Sequence, residues 1–308
     1  MKTKSLLFIV LLSFNSVLFC QNGLPMHISD TKIIPLTSLG NSALQNNLEK
    51  ELNAIPRWKH LIAQKKMSVG LVDLRDPENV KYGSINGNNM MYAASLPKIA
   101  ILLAAMDAFD KGELKETPTI KSDLRLMISK SNNQASTRMI DRLGYKKIES
   151  VMTDPKYMFY DENHGGGLWV GKRYASGGDT NREPLKHLSH AATVNQVCRY
   201  YYLLANGKLV NYDRSKQMLD IMGNPDLHHK FVNAIEKIAP QALLFRKSGS
   251  WQTFHSDSIL VWGNDPSRRY ILVALIDDAD GEQIIRNLVK PVEKVLKMKL
   301  PAPSIASN

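Results

Sequence analysis

Apolar and polar positions along this chain follow two periods. In SALQNNLEKELNAIPRWKHLIAQ, Leu44, Leu48, Leu52 and Ile55 recur every third or fourth residue, which predicts a first amphipathic helix. MSVGLVDL and VKYGSING are β-type runs, and the turn cluster RDPEN between them predicts a hairpin. Residues 95–109 are almost continuously apolar and predict a helix entering the core. Residues 121–144 predict a helix or helix pair ending at Gly144. The stretch 154–190 is rich in Gly, Asp and Asn and has little periodicity, so it is read as a long loop, a feature often tied to function. Helices are predicted at 193–205 and 212–222. ALLFRKSGSW, SDSILVWG and RRYILVALID then read as three β runs joined by short turns, before a last helix at about 281–297.

Strands therefore come early and late, with helices between them. The expected solution is α+β: an antiparallel sheet built from both chain ends and flanked by helices, with an inserted all-helical lobe. The expected boundaries are a loose leader at 21–40, a catalytic domain at 41–300 and a tail at 301–308. Within the domain, one lobe takes residues 41–94 and 230–300, and the helical lobe takes 95–229. With 308 residues, 44 % hydrophobic and 22 % charged, the chain has ordinary globular composition and length for a substantial core.

The N-terminus changes where this protein is expected to work. Lys2 and Lys4 precede an apolar run from Leu6 to Phe19, and the chain turns polar at Gln21. That order describes a secretory signal peptide over residues 1–20, so a secreted, periplasmic location is expected. Cys20 at the boundary raises lipoprotein anchoring, but bulky Phe19 before it favours plain cleavage. The formal net charge of +11 falls to +9 once the two signal lysines are removed. This suits envelope polymer, acidic lipid or a carboxylate-bearing substrate. No basic run or nucleic-acid signature is present, and no later segment reaches ~18 apolar residues, so neither a nucleic-acid partner nor a membrane span is expected. With Cys20 gone, Cys198 is the remaining cysteine, which leaves no intramolecular disulfide.

The chemistry gathers at three places. Ser95-Leu96-Pro97-Lys98 opens the 95–109 helix, where i and i+3 share a face and Pro is tolerated in the first turn. A serine hydroxyl needs a base, and a partly buried lysine with a depressed pKa can supply one. Unpaired amides at a helix start suit an oxyanion. A second S-x-x-K, Ser29-Asp30-Thr31-Lys32, sits in the leader without such a context. Ser131-Asn132-Asn133 follows in a helical region, and Lys247-Ser248-Gly249 lies on the first late β run.

In this order, S-x-x-K, S-x-N and K-[S/T]-G resemble the signature of the serine β-lactamase and penicillin-binding-protein superfamily, specifically its class A β-lactamase-like branch, over about residues 45–300. The resemblance implies a β-lactamase-like fold with the site in a cleft between lobes. It implies Ser95 as acylated nucleophile, Lys98 as its proton acceptor and Ser131 as proton carrier to the leaving nitrogen. Asn133 would bind a substrate amide, Lys247 would supply positive potential, and Ser248 would bond a substrate carboxylate. Gly249 and Ser250 complete the substrate-binding strand, and the amides of Ser95 and Ser250 would form the oxyanion hole. Departures are Asn132 for the usual aspartate, Ser248 where threonine is common, and a short interval from Ser95 to Ser131. Relatives activate the deacylating water with a loop glutamate; here the candidates are Glu183 and Glu162, neither in the usual pattern.

The expected function is exported serine acyl hydrolysis of a β-lactam through a Ser95 acyl-enzyme. The alternatives are a D,D-peptidase or esterase acting on envelope peptides, and a penicillin- or peptidoglycan-binding sensor without turnover. A monomer with no cofactor and no metal is expected. GGLWVGK (166–172) fails as a phosphate loop because Arg173 stands where Ser or Thr should bind magnesium. His187 and His190 lack a third ligand for zinc, and no G-x-S-x-G is present. Trp169 and Tyr200-Tyr201-Tyr202 read as packing residues.

Overall fold

The computed structural model describes residues 23, 24, 26 and 35–297. The expected signal peptide, Ser29-Asp30-Thr31-Lys32 and the tail at 301–308 lie outside the described residues.

The chain begins with helices α1 (Ser42–Asn53) and α2 (Pro56–Ala63), then the hairpin β1 (Met67–Asp73) and β2 (Lys81–Ile85), and short β3 (Met91–Tyr92). Helices α3 (Lys98–Asp110), α4 (Pro118–Ser129), α5 (Asn133–Leu143) and α6 (Tyr145–Met152) follow. The predicted long loop contains short strands β4 (Tyr160–Asp161), β5 (Gly166–Gly167) and β6 (Trp169–Val170), with β7 (His190–Ala192) at its end. Helices α7 (Val194–Ala205), α8 (Tyr212–Met222) and α9 (Phe231–Ile238) lead to β8 (Leu243–Trp251), β9 (Phe254–Trp262), β10 (Arg269–Asp277) and α10 (Gly281–Lys297).

The five long strands form one antiparallel sheet in the order β2-β1-β10-β9-β8, so strands from both chain ends meet at its centre. Alternation sorts their side chains to two faces. Tyr270, Leu272, Ala274 and Ile276 of β10 join Met67, Val69 and Leu71 of β1 in one core cluster with α1, α9 and α10. Ile271, Val273 and Leu275 point into the other, which holds α3 and α7. Each fully buried aliphatic side chain contributes about 1.5–3 kcal/mol. Gly70 on β1 allows α7 to lie close, because a Cβ there would come within 2.6 Å of Cys198 Sγ. Cys198 is a free, buried thiol whose pKa burial raises. From α7, the Tyr200 hydroxyl donates to the Ile99 carbonyl (3.0 Å) and Tyr201 to that of Ser258 (3.1 Å), so both rings pack and also tie α3 to the sheet.

Helix starts follow their caps. Asn41, Thr117, Thr193 and Asn211 accept the amides of Leu44, Ile120, Gln196 and Arg214, and Pro56 and Pro118 open α2 and α4. The predicted first helix is two helices because Pro56 restarts it. The 95–109 helix begins at Lys98, with Ser95 in the turn before it. The leader is not loose where it is described: Leu24, Met26 and Leu36 are buried, and the Met26 amide bonds Ala205 O at 2.5 Å.

Candidate active site

Ser95 stands half-buried between β3 and α3, in a turn where Ala94 takes φ +50°. Although it lies outside the helix, an i→i+3 bond from the Lys98 amide to the Ser95 carbonyl (3.3 Å) keeps the two residues one turn apart. The late strands hold this turn. Gly249 passes so close that a Cβ would lie 2.5 Å from both Ser95 N and Ala93 O, and Ser256 Oγ donates to Ala93 O at 2.8 Å. Only glycine allows that backbone approach.

Lys98 is fully buried at the start of α3. Its Nζ donates to Ser131 O (2.7 Å) and Asn133 Oδ1 (2.8 Å), and the Tyr174 ring lies over it, 4.3 Å to the centroid. Desolvation pushes its pKa down from the ordinary lysine value to about 7. Ser131 is not in a helix. It occupies the break between α4 and α5 at φ +54°, a costly conformation for a residue with a side chain. Asn132 explains the break, since its Oδ1 accepts the Ala135 amide at 2.8 Å and caps α5. Asparagine thus serves as the cap of α5.

Lys247 comes from β8, the sheet edge, and is buried. Its Nζ donates to Ser131 Oγ (2.9 Å) and Ser248 O (2.6 Å), so the Ser131 hydroxyl stands between two lysines, with Lys98 Nζ at 3.4 Å. Desolvation first, and the Lys98 charge second, hold the Lys247 pKa well below the usual lysine range. No carboxylate bonds either lysine among the described residues, so an incoming anion beside Lys247 would favour its charged form.

The geometry adds residues that no sequence motif marks. Lys230, buried at φ +53° before α9, donates to Gly249 O (2.6 Å), Ser250 Oγ (2.7 Å) and Ser256 O (3.1 Å), with its pKa lowered to about 8 by burial. It braces the strand that carries Ser248 and Ser250. Arg246 and Asp257 form a buried pair (2.7 Å) beneath it, and Asp257 also accepts the Phe231 amide. His229 Nε2 lies 3.3 Å from Ser248 Oγ. A single lysine or histidine in HHKF carries no spacing signal, so only the tertiary structure reveals these roles.

The two loop glutamates are placed differently. Glu162 is exposed in a short turn after β4. Glu183 is fully buried, and its oxygens accept the Tyr160 hydroxyl and the amides of Leu185, Lys186 and Leu188, all at 2.8 Å. Its carboxylate organises the loop. Thus Ser95, Lys98, Ser131, Asn133, Lys247, Ser248, Gly249 and Ser250 are drawn toward one place, while Glu162 has no bond to that cluster and Glu183 is bonded within its own loop.

No curated protein sequence matches the chain. Among solved structures it is similar to PBP-A, with a TM-score of 0.61 and 18 % identity over 84 % of this chain and 97 % of that one. It is similar to a β-lactamase from Sphaerobacter thermophilus DSM 20745, with a TM-score of 0.60 and 17 % identity over 84 % and 99 % of the two chains. A class A β-lactamase from Bacteroides cellulosilyticus DSM 14838 gives a TM-score of 0.62 and 16 % identity over 83 % and 99 %. At such identities these likenesses speak for the fold. The sequence profile of the Beta-lactamase enzyme family matches residues 47–123 and 115–296, nearly all of the described chain. With the antiparallel sheet, the helices around it and that match in agreement, this chain belongs to the beta-lactamase enzyme family.

Proposed function

We propose that this protein is an exported serine acyl hydrolase that opens a β-lactam through a Ser95 acyl-enzyme. The observation that carries the reading is the bonding of Lys98. A neutral amine has two N–H donors and one lone pair; Ser131 O and Asn133 Oδ1 take the two donors at 2.7 and 2.8 Å, and Ser131 Oγ lies farther off at 3.4 Å. In this reading the lone pair takes the Ser95 hydroxyl proton, and a pKa of about 7 keeps a large neutral fraction at neutral pH.

In the acylation step, Lys98 takes the Ser95 proton as Oγ bonds the lactam carbonyl carbon. The developing oxyanion is met by the amides of Ser95 and Ser250. The C–N bond then breaks, and the leaving nitrogen receives its proton through Ser131, with Lys98 or Lys247 as the source. Lys247 and Ser248 hold the substrate carboxylate. Water completes the cycle by cleaving the Ser95 ester.

One observation favours a second reading, a penicillin-binding protein that keeps its adduct. Glu183 has its carboxylate oxygens engaged by Tyr160 and three loop amides, leaving the water-activating role without an evident holder. Mass spectrometry of the purified protein with a fluorescent penicillin, followed over time beside Ser95→Ala, tests both. A transient adduct absent from Ser95→Ala is expected of the hydrolase, and an adduct lasting hours selects the second reading. Labelling that survives in Ser95→Ala removes Ser95 as nucleophile.

A further inference from the structure

We propose that Tyr174 is a positioning residue for Lys98: its ring covers the amine, keeps water from that side and holds the lysine ready to accept a proton. The inference rests on the reading of Lys98 as proton acceptor, and it assigns to the 171–189 loop a part in acylation.

Tyr174 is half-buried on the loop between β6 and β7. Its ring centroid lies 4.3 Å from Lys98 Nζ, and its hydroxyl donates to Ala94 O at 3.3 Å, in the turn that carries Ser95. Behind it the His190 ring packs at 4.2 Å. His190 is itself fixed, with Nδ1 3.1 Å from Ser189 Oγ and Nε2 3.0 Å from Lys172 O. The loop is anchored at a distance as well: Gly171 N bonds Ser189 O (2.7 Å), Asn181 N bonds Gly171 O (2.8 Å), and Arg173 pairs with Asp141 of α5 (2.5 Å).

The groups that face Lys98 can be named from each neighbouring element. The α4–α5 break gives Ser131 and Asn133, β8 gives Lys247, β7 gives His190, and the loop gives Tyr174. No carboxylate is among them. Burial lowers His190 to about 4, so it stays neutral near pH 7. What keeps Lys98 neutral is therefore dryness more than charge, and one wall of the dry space is an aromatic ring.

The ring acts in two opposed ways. Its face attracts a cation and so favours protonated Lys98, by about one and a half pH units when dry. Excluding water disfavours the charge: burial as a whole lowers the Lys98 pKa from 10.5 to about 7. The ring covers one side of the amine, and we take its share of that burial to be the larger effect. Removing the ring should then raise the Lys98 pKa, because entering water solvates the ammonium.

The test uses the whole chain with isotope-labelled lysine. Lys98 is titrated by NMR, and the rate of Ser95 labelling by a fluorescent penicillin is measured from pH 5 to 10. Tyr174→Ala should move the Lys98 titration and the midpoint of the rate profile upward by about one pH unit or more. Labelling at pH 7 should fall about fivefold or more and recover toward wild type near pH 10. Tyr174→Phe, which keeps the ring and loses the hydroxyl, should leave both midpoints in place. If Tyr174→Ala does not fold, Tyr174→Gln admits water with less loss of volume and is expected to shift both midpoints in the same direction. Unmoved midpoints in Tyr174→Ala or Tyr174→Gln overturn the proposal, as does a Tyr174→Phe shift equal to that of Tyr174→Ala. If wild type takes no label at all, the proposed function fails, and the NMR titration alone still decides what Tyr174 does to Lys98.

Discussion

Lys98 is the residue whose cost and use are easiest to weigh. It is fully buried and bonded to no carboxylate, and its pKa drops from 10.5 to about 7. A folded-state pKa below the unfolded one means that the unfolded chain binds more protons between those values. Stability contributed by this site therefore rises with pH across that window. The unfavourable contribution at pH 7 is of order 4–5 kcal/mol by that shift, reduced in practice by relaxation. Lys98→Met should accordingly raise the thermal midpoint at pH 7, with the gain shrinking toward pH 10.5, while acylation of Ser95 falls ~10²–10⁴-fold. Calorimetry across pH beside labelling rates checks both. A midpoint lower than wild type at pH 7 would show that the bonds to Ser131 and Asn133 outweigh desolvation. Such residues were legible in the sequence because S-x-x-K, S-x-N and K-S-G are each local in the chain. Tyr174 and Lys230 were not legible, because what defines them is contact with residues far away in sequence.

Among elements, β8 does most to shape the site, and it does so through a missing side chain. Gly249 lets the strand touch the backbone of the Ser95 turn, where a Cβ would fall 2.5 Å from Ser95 N. Backbone on both sides leaves no flexible side chain to yield. Gly249→Ala should displace the nucleophile turn and slow labelling of Ser95 by about 10²-fold, since small misplacements of reacting groups carry costs of that size. A crystal structure of the variant with an unmoved turn, or an unchanged labelling rate, would refute this. The late strands and α7, α8 and α10 were legible because period-2 and period-3.6 patterns persist over their whole length. Helices α6 and α9 were not, at only eight residues each, and α2, equally short, reads as the continuation of α1. In so short a window, two or three apolar positions fit several periods. Ser131 reads as helical from sequence because a single left-handed residue between two helices leaves the hydrophobic period almost undisturbed.

At the scale of the whole molecule, the loop from β6 to β7 closes one side of the site around Glu183. Its buried carboxylate satisfies three loop amides and the Tyr160 hydroxyl, so Glu183→Gln puts an amide donor against backbone donors. The expected result is a loss of about 1–3 kcal/mol in stability, with Ser95 still acylated. Denaturant unfolding and adduct lifetimes test it. A long-lived adduct in the variant that wild type clears would instead make Glu183 the deacylating base. The sheet has a different kind of consequence, one of timing. Val69 of β1 pairs with Ala274 of β10, about 200 residues later in the chain. During synthesis the early hairpin has no central partner until the last strand has emerged, and pairing across such a separation is slow. A chain ended after Asp265 should thus show no protected amides in β1 by hydrogen exchange. Protection there would mean that the early hairpin folds alone. On that expectation the five-stranded sheet takes shape only once β10 is available, which leaves the early hairpin waiting through most of synthesis.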